Sequence, residues 1–141
     1  MMTDKGDYLE FYERDPLDTR PEVNHQIEAF THLVVRYPQW IAFHPVNENE
    51  KSWRTAIIDH QSGLVSGVSD LIILTGCIGC KYASAAIEMK RVNKSGKGKA
   101  SPVSKEQREF LSRFRALGGF AAVAYGSEQF KEAIKYMISQ H

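Results

Sequence analysis

Apolar residues recur along this chain with two periods, one near 3.6 and one of two, and the two alternate from end to end. Val23, Ile27, Phe30, Leu33 and Val34 fall at helical spacing and predict a helix from Pro21 to about Arg36, with Thr19 placed to cap it and Pro21 in its first turn. Trp40 to Phe43 reads as a strand and Ser52 to His60 as a short helix ending near Gly63. The runs Asp70 to Leu74 and Ala85 to Lys90 are short apolar strands, and the glycines at 76 and 79 suit a hairpin between them. Phe110, Leu111, Phe114 and Leu117 give the apolar stripe of a helix that starts after Ser104. Phe120 to Tyr125 is another strand, and a closing helix from Ser127 to about Ile138 carries Phe130, Ile134, Met137 and Ile138. This order predicts an α/β fold, a mixed sheet flanked by helices.

The strand pattern also places chemistry. Side chains alternate across a strand, so Glu88 and Lys90 leave one face while Ile87 and Met89 leave the other. If the two hairpin strands pair antiparallel, Asp70 at the start of one lies beside Glu88 at the end of its neighbour. Two close carboxylates repel, whereas a divalent cation stabilises both as anions. Oxygen donors, with the Met89 carbonyl as a further one, favour a hard ion, Mg2+ or Mn2+, over zinc. Such an ion activates water and stabilises charge on a phosphoryl oxygen, with Lys90 there to orient that water or balance the charge. As a string, an acid-x-Lys tripeptide carries little information, since about one is expected by chance in a chain of this composition. A strand end whose charges merely reach solvent is the competing reading.

Charge adds to the picture through its distribution, because the net charge is only +1. Residues 1–28 hold eight acids against three bases, and residues 90–115 hold nine bases against two acids. The basic segment begins beside the acidic pair and would attract a polyanionic backbone. A solvated loop followed by an exposed helix face accounts for the same charges. Val92 to Pro102, rich in Gly, Ser and Lys, reads as a flexible loop in which Lys94, Lys97 and Lys99 track phosphates. At 141 residues, 43% hydrophobic and 25% charged, the chain suits one core and one domain. The divisions expected are an acidic N-terminal extension, 1–20, and a folded domain, 21–141. No apolar run is long enough to span a bilayer and the first residues do not form a signal peptide, so an intracellular, cytoplasmic protein is expected.

Several weak motifs, taken in order, carry more than any one. Gly67-Val68-Ser69-Asp70, Glu88-Met89-Lys90-Arg91 and Ser104-Lys105-Glu106-Gln107, with Glu22 and Gln26 four apart on the first helix and His44-Pro45-Val46-Asn47 before the second, resemble the virus-type replication-repair nuclease (VRR-Nuc) family of the PD-(D/E)-x-K nuclease superfamily. The resemblance covers roughly residues 20–138. It implies a restriction-endonuclease-like fold in which Asp70 and Glu88 bind metal, Met89 assists through its carbonyl, and Lys90 is catalytic. By the same resemblance Glu22 and Gln107 shape the site and Glu22 partners the metal-bound water or a second cation. Asn47, Arg91 and Lys105 join the loop lysines as DNA contacts, and Gln26 and His44 lie at the active site. Ser69 stands where the family has proline, and Glu48 where it often has glycine.

Bland readings accompany these roles. A carboxylate at Glu22 is favoured by the helix dipole, and Ser104-x-x-Gln107 is a capping box. His25, His32 and His60 suit packing or the surface. Cys77 and Cys80 are read as two reduced thiols, because a zinc site would need further ligands. The function implied is a Mg2+- or Mn2+-dependent DNA endonuclease, by analogy with small stand-alone relatives a homodimer acting in DNA repair at four-way (Holliday) junctions. The alternatives are a nuclease on ordinary duplex or single-stranded ends and a DNA-binding module with a vestigial site.

Overall fold

The computed structural model describes residues 1–45, 57–58, 60–63, 65–76 and 81–141. Among these, six strands, β1 (Met2–Asp4), β2 (Leu9–Phe11), β3 (Ile41–Phe43), β4 (Leu71–Leu74), β5 (Ser84–Lys90) and β6 (Phe120–Tyr125), form one sheet in the order β1-β2-β6-β5-β4-β3. Three helices pack on it: α1 (Glu22–Arg36), α2 (Lys105–Ala116) and α3 (Ser127–Ser139). The mixed sheet expected from the sequence is present, with β4 antiparallel to β3 and β5, and β6 parallel to both β5 and β2. Most of the expected Ser52–His60 helix, with Asn47, Glu48, Cys77 and Cys80, lies outside the described residues.

The central strands β5 and β6 are buried on both faces, which is why they read as nearly unbroken apolar runs. Ala85, Ala86, Ala121, Ala122 and Ala124 keep both surfaces shallow enough for helices to sit close. On one face Ile87, Met89, Phe120 and Ala122 meet Leu33 of α1 and Phe130, Ile134 and Met137 of α3. On the other, Ala86, Ala121, Val123 and Tyr125 meet Leu111 of α2, with Phe110 and Phe114 packed alongside. Glu88 and Lys90 therefore emerge on the α2 face at the end of β5.

Three expectations change. The acidic stretch 1–20, read without any element, supplies β1 and β2, and Leu9 and Phe11 enter the core. Short strands with no run of alternation escape a periodicity search. The stripe expected to bury α1 is mostly outward: Val23, Ile27, Phe30 and Val34 are exposed, and only Leu33 of that set is buried. The buried face is instead His25, Ala29 and Leu33. A histidine can occupy that row because its ring is hydrogen-bonded, a condition invisible to a pattern of apolar letters. Leu117, expected in the α2 stripe, is the exposed residue that ends the helix.

Candidate active site

The site is built where β4 starts, β5 ends and α2 begins. Leu71 pairs with Ile87, so the antiparallel register brings Asp70 opposite Glu88. Asp70 Oδ2 accepts the Met89 N–H at 2.8 Å, just beyond the first ladder pair. The N–H and C=O of an extended residue point to the same edge, so the Met89 carbonyl also faces the Asp70 side. Gly67 seats the approach to Asp70. Its φ is +77°, and a Cβ there would lie 2.2 Å from the Glu106 carbonyl oxygen in the first turn of α2. The loop leading to Asp70 and the helix bearing Gln107 are thus packed backbone to backbone.

Gln107 ties the parts together. In the capping box its Oε1 accepts the Ser104 N–H at 2.9 Å while Ser104 Oγ accepts the Gln107 N–H at 3.1 Å. The same side chain donates from Nε2 to Glu88 Oε1 at 2.8 Å and accepts from Lys90 Nζ at 3.3 Å. Gln107 makes the capping contacts and also touches Glu88 and Lys90, because one amide has enough donors and acceptors for both.

Glu88 and Lys90 are 3% and 2% exposed, so the site carries two buried ionisable groups. Burial pushes the Glu88 carboxyl up to about 9, Asp70 adds to this by repulsion and a shared hydrogen bond, and Lys90 opposes it. In its ionised form Glu88 Oε2 accepts from no donor among the described residues. Glu22 lies in the same cavity, its carboxyl raised by burial first and then by Asp70. That cavity, about 670 Å3, is lined by Glu22, Gln26, His44, Asp70, Glu88, Lys90 and Gln107 among others. His44 is fixed to the site by a 2.6 Å contact between Nδ1 and the Asp70 carbonyl oxygen. Since that oxygen only accepts, the ring carries its proton on Nδ1 and presents a lone pair at Nε2 when neutral.

A carboxylate pair, Glu88 buried and Asp70 partly so, with one oxygen of ionised Glu88 lacking a donor among the described residues, suits a hard cation held by Asp70, Glu88 and the Met89 carbonyl. Among the described residues no group of three or more His, Cys, Asp or Glu side chains is arranged to hold an ion. Glu22 stands in the same cavity and in the field of Asp70 and Glu88. Mg2+ is commonly held by one or two carboxylates together with substrate phosphates, and two acids with a carbonyl meet that pattern.

The basic segment divides. Lys94, expected to track phosphate, pairs with the buried Glu10 at 2.9 Å and lies over the rings of Tyr12 and Tyr125 at 4.5 and 5.2 Å. Arg91 donates to the Thr19 carbonyl oxygen, and Lys105 is 3.8 Å from Glu109 one turn along α2. Lys97 and Lys99 are exposed. The loop read as flexible is anchored: Asn93, 3% exposed, accepts the Asp15 N–H at 2.9 Å and donates to the carbonyls of Asp15 and Asp18 at 2.8 and 3.1 Å. Sequence reasoning missed these anchors, and missed Ser101 and Pro102, whose oxygens lie 3.2 and 3.3 Å from Lys90 Nζ. An asparagine three residues after the end of β5 was the available signal.

A mixed sheet that delivers an acid, a second acid and a lysine to one polar cavity defines a nuclease-type phosphodiesterase domain. The chain belongs to the VRR-NUC domain family, whose model matches residues 18–128. It is accordingly a nuclease domain with DNA as its substrate. No curated protein and no solved structure matches the chain. No described helix is long and apolar enough to cross a membrane.

Proposed function

We propose that the domain is a Mg2+- or Mn2+-dependent endonuclease that hydrolyses phosphodiester bonds in branched DNA, four-way junctions foremost, and works as a homodimer. The observation that carries the metal-dependent part is the pairing of partly buried Asp70 with buried Glu88, whose ionised form leaves Oε2 without a donor among the described residues. An unpaired buried acid is costly, and a cation is the partner that removes the cost while leaving a use for the site. When bound, the ion would supply Lewis-acid stabilisation of phosphoryl charge and a more acidic water.

The chain's own residues supply the rest. Asp70 is held by the Met89 amide and Glu88 by Gln107, so both present fixed oxygens. The Lys90 ammonium stands within the same cavity, where its charge draws in the attacking water and offsets charge in the transition state. Glu22, raised by burial, is placed to exchange a proton at the cavity wall. Lys97 and Lys99 extend the positive surface along the departing DNA backbone. The homodimer reading draws support from the outward apolar row on α1, where Val23, Ile27 and Val34 are 59%, 61% and 52% exposed. Two sites across a two-fold axis suit the two strands cut at a junction.

The test is a cleavage panel of matched four-way junction, flap and linear duplex, each with Mg2+, Mn2+ or chelator, with Lys90→Ala alongside. Junction cleavage that needs metal and Lys90 is the outcome expected. Equal cleavage of linear duplex would remove the junction preference, and binding without turnover would favour a vestigial DNA-binding module.

A further inference from the structure

We infer that Ser101 is a positioning residue for Lys90, so that the basic loop is part of the catalytic apparatus as well as a contact for DNA; this rests on the nuclease reading above. A lysine ammonium has three N–H donors, and at 2% exposure it must find protein acceptors for them. Lys90 Nζ has three: Ser101 Oγ at 3.2 Å, the Pro102 carbonyl at 3.3 Å and Gln107 Oε1 at 3.3 Å. Two of the three come from the segment that connects β5 to α2.

The three acceptors differ in what else they do. Gln107 Oε1 is shared with the Ser104 amide, and its amide nitrogen holds Glu88. The Pro102 oxygen belongs to the backbone. Among the described residues the Ser101 hydroxyl bonds only the Lys90 ammonium, and Ser101 also lines the cavity. A hydroxyl that accepts from the ammonium keeps its own proton free to point elsewhere, so it fixes the ammonium's direction without competing for its charge.

Ser101 is itself held in place. The Ala100 N–H donates to the Asn93 carbonyl at 2.7 Å, closing the base of the loop one residue before Ser101. Asn93 is locked to Asp15 and Asp18 through its side chain. A chain of contacts therefore runs from the N-terminal segment through Asn93 and Ala100 to Ser101 and the ammonium, with the exposed Lys97 and Lys99 at the loop's apex. DNA bound along that apex sits on the same frame that sets the position of Lys90.

The experiment compares wild type with Ser101→Ala, Ser101→Thr, Lys90→Ala and Lys90→Ala/Ser101→Ala. Steady-state cleavage of the preferred DNA with Mn2+ is measured together with the hydrogen exchange of the Lys90 ammonium by 15N NMR. Ser101→Ala should lower kcat roughly ten-fold with KM for DNA unchanged, as expected for a misplaced catalytic group. Ser101→Thr, which keeps the hydroxyl, should restore most of the rate, and Ser101→Ala should cost nothing further in the Lys90→Ala background. The ammonium signal should exchange faster in Ser101→Ala while the rise in Tm on adding Mn2+ is unchanged. A raised KM with intact kcat would make Ser101 a DNA contact and overturn the inference. Equal losses in the alanine and threonine variants would overturn it too. Wild type with a protected ammonium but no metal-dependent cleavage would sink the nuclease reading and leave Ser101 a structural contact.

Discussion

Glu88 concentrates the tension in this site. Buried at the end of β5 and facing Asp70, its carboxyl is held in the protonated form up to about pH 9. A cation would displace that proton, so metal binding and ionisation are one event. Glu88→Gln should leave metal-free stability unchanged or slightly higher, abolish the rise in Tm on adding Mn2+, and abolish cleavage; a thermal-shift series reads all but the last. His25 offers a second test at residue scale. Its Nδ1 accepts the Ser127 N–H at 3.0 Å and thereby caps α3, whose own N-cap, Gly126, has no side chain to do so. Burial holds His25 below its ordinary 6.5, against the pull of Asp18 and Glu28 and with Arg20 adding to the depression. A group depressed in the folded state binds its proton more readily when unfolded, so its contribution is present above pH 6.5 and is lost as pH falls below it. Stability measured by urea unfolding should fall from pH 7 to pH 5, and the slope should shrink in His25→Gln. His25→Ala should cost about 1–3 kcal/mol at pH 7, from the lost cap and the cavity.

At the scale of elements, the candidate acids and the lysine were legible because strand alternation and an antiparallel hairpin are strong local constraints. Asp70, Glu88, Lys90 and Gln107 are gathered as the pattern and the family resemblance implied. What was not legible depends on contacts distant in sequence. Asn93 meets Asp15 across 78 residues, Lys94 meets Glu10 across 84, and nothing in either local window announces a partner. The outward turn of the α1 stripe has the same origin, since His25 is acceptable inside only because Ser127 lies above it. Gly67 carries the close approach between the Asp70 loop and α2. Gly67→Ala should destabilise the domain by about 1–3 kcal/mol, from a strained φ and a clash with the Glu106 carbonyl, and should reduce cleavage by displacing Asp70. Circular-dichroism melts and single-turnover rates would check the two effects separately.

The whole molecule is a polarised body. The acidic N-terminal segment wraps back onto the strand end beside the site and neutralises part of the basic segment, as in Lys94 with Glu10 and Arg115 with Asp4. The modest net charge thus hides a positive rim left to Lys97 and Lys99. α1 presents its apolar row beside the cavity, with Gln26 and His44 lining both, and the homodimer proposal assigns that row to a second copy. Ile27→Glu should convert a dimer to a monomer in sedimentation-velocity runs and leave the fold intact, because the residue touches solvent in the isolated chain.

In the proposed mechanism Asp70 and Glu88 jointly hold a hard ion against a DNA phosphate while Lys90 completes the chemistry. Single-turnover cleavage of a four-way junction by wild type and Lys90→Ala, with Mn2+ binding to each followed in parallel by calorimetry, tests it most directly. Wild type should cleave in a way that chelator abolishes, and Lys90→Ala should bind Mn2+ as tightly but cut about 100-fold more slowly or worse, the scale of a lost transition-state charge. Cleavage that persists in chelator, or a Lys90→Ala rate equal to wild type, would contradict it.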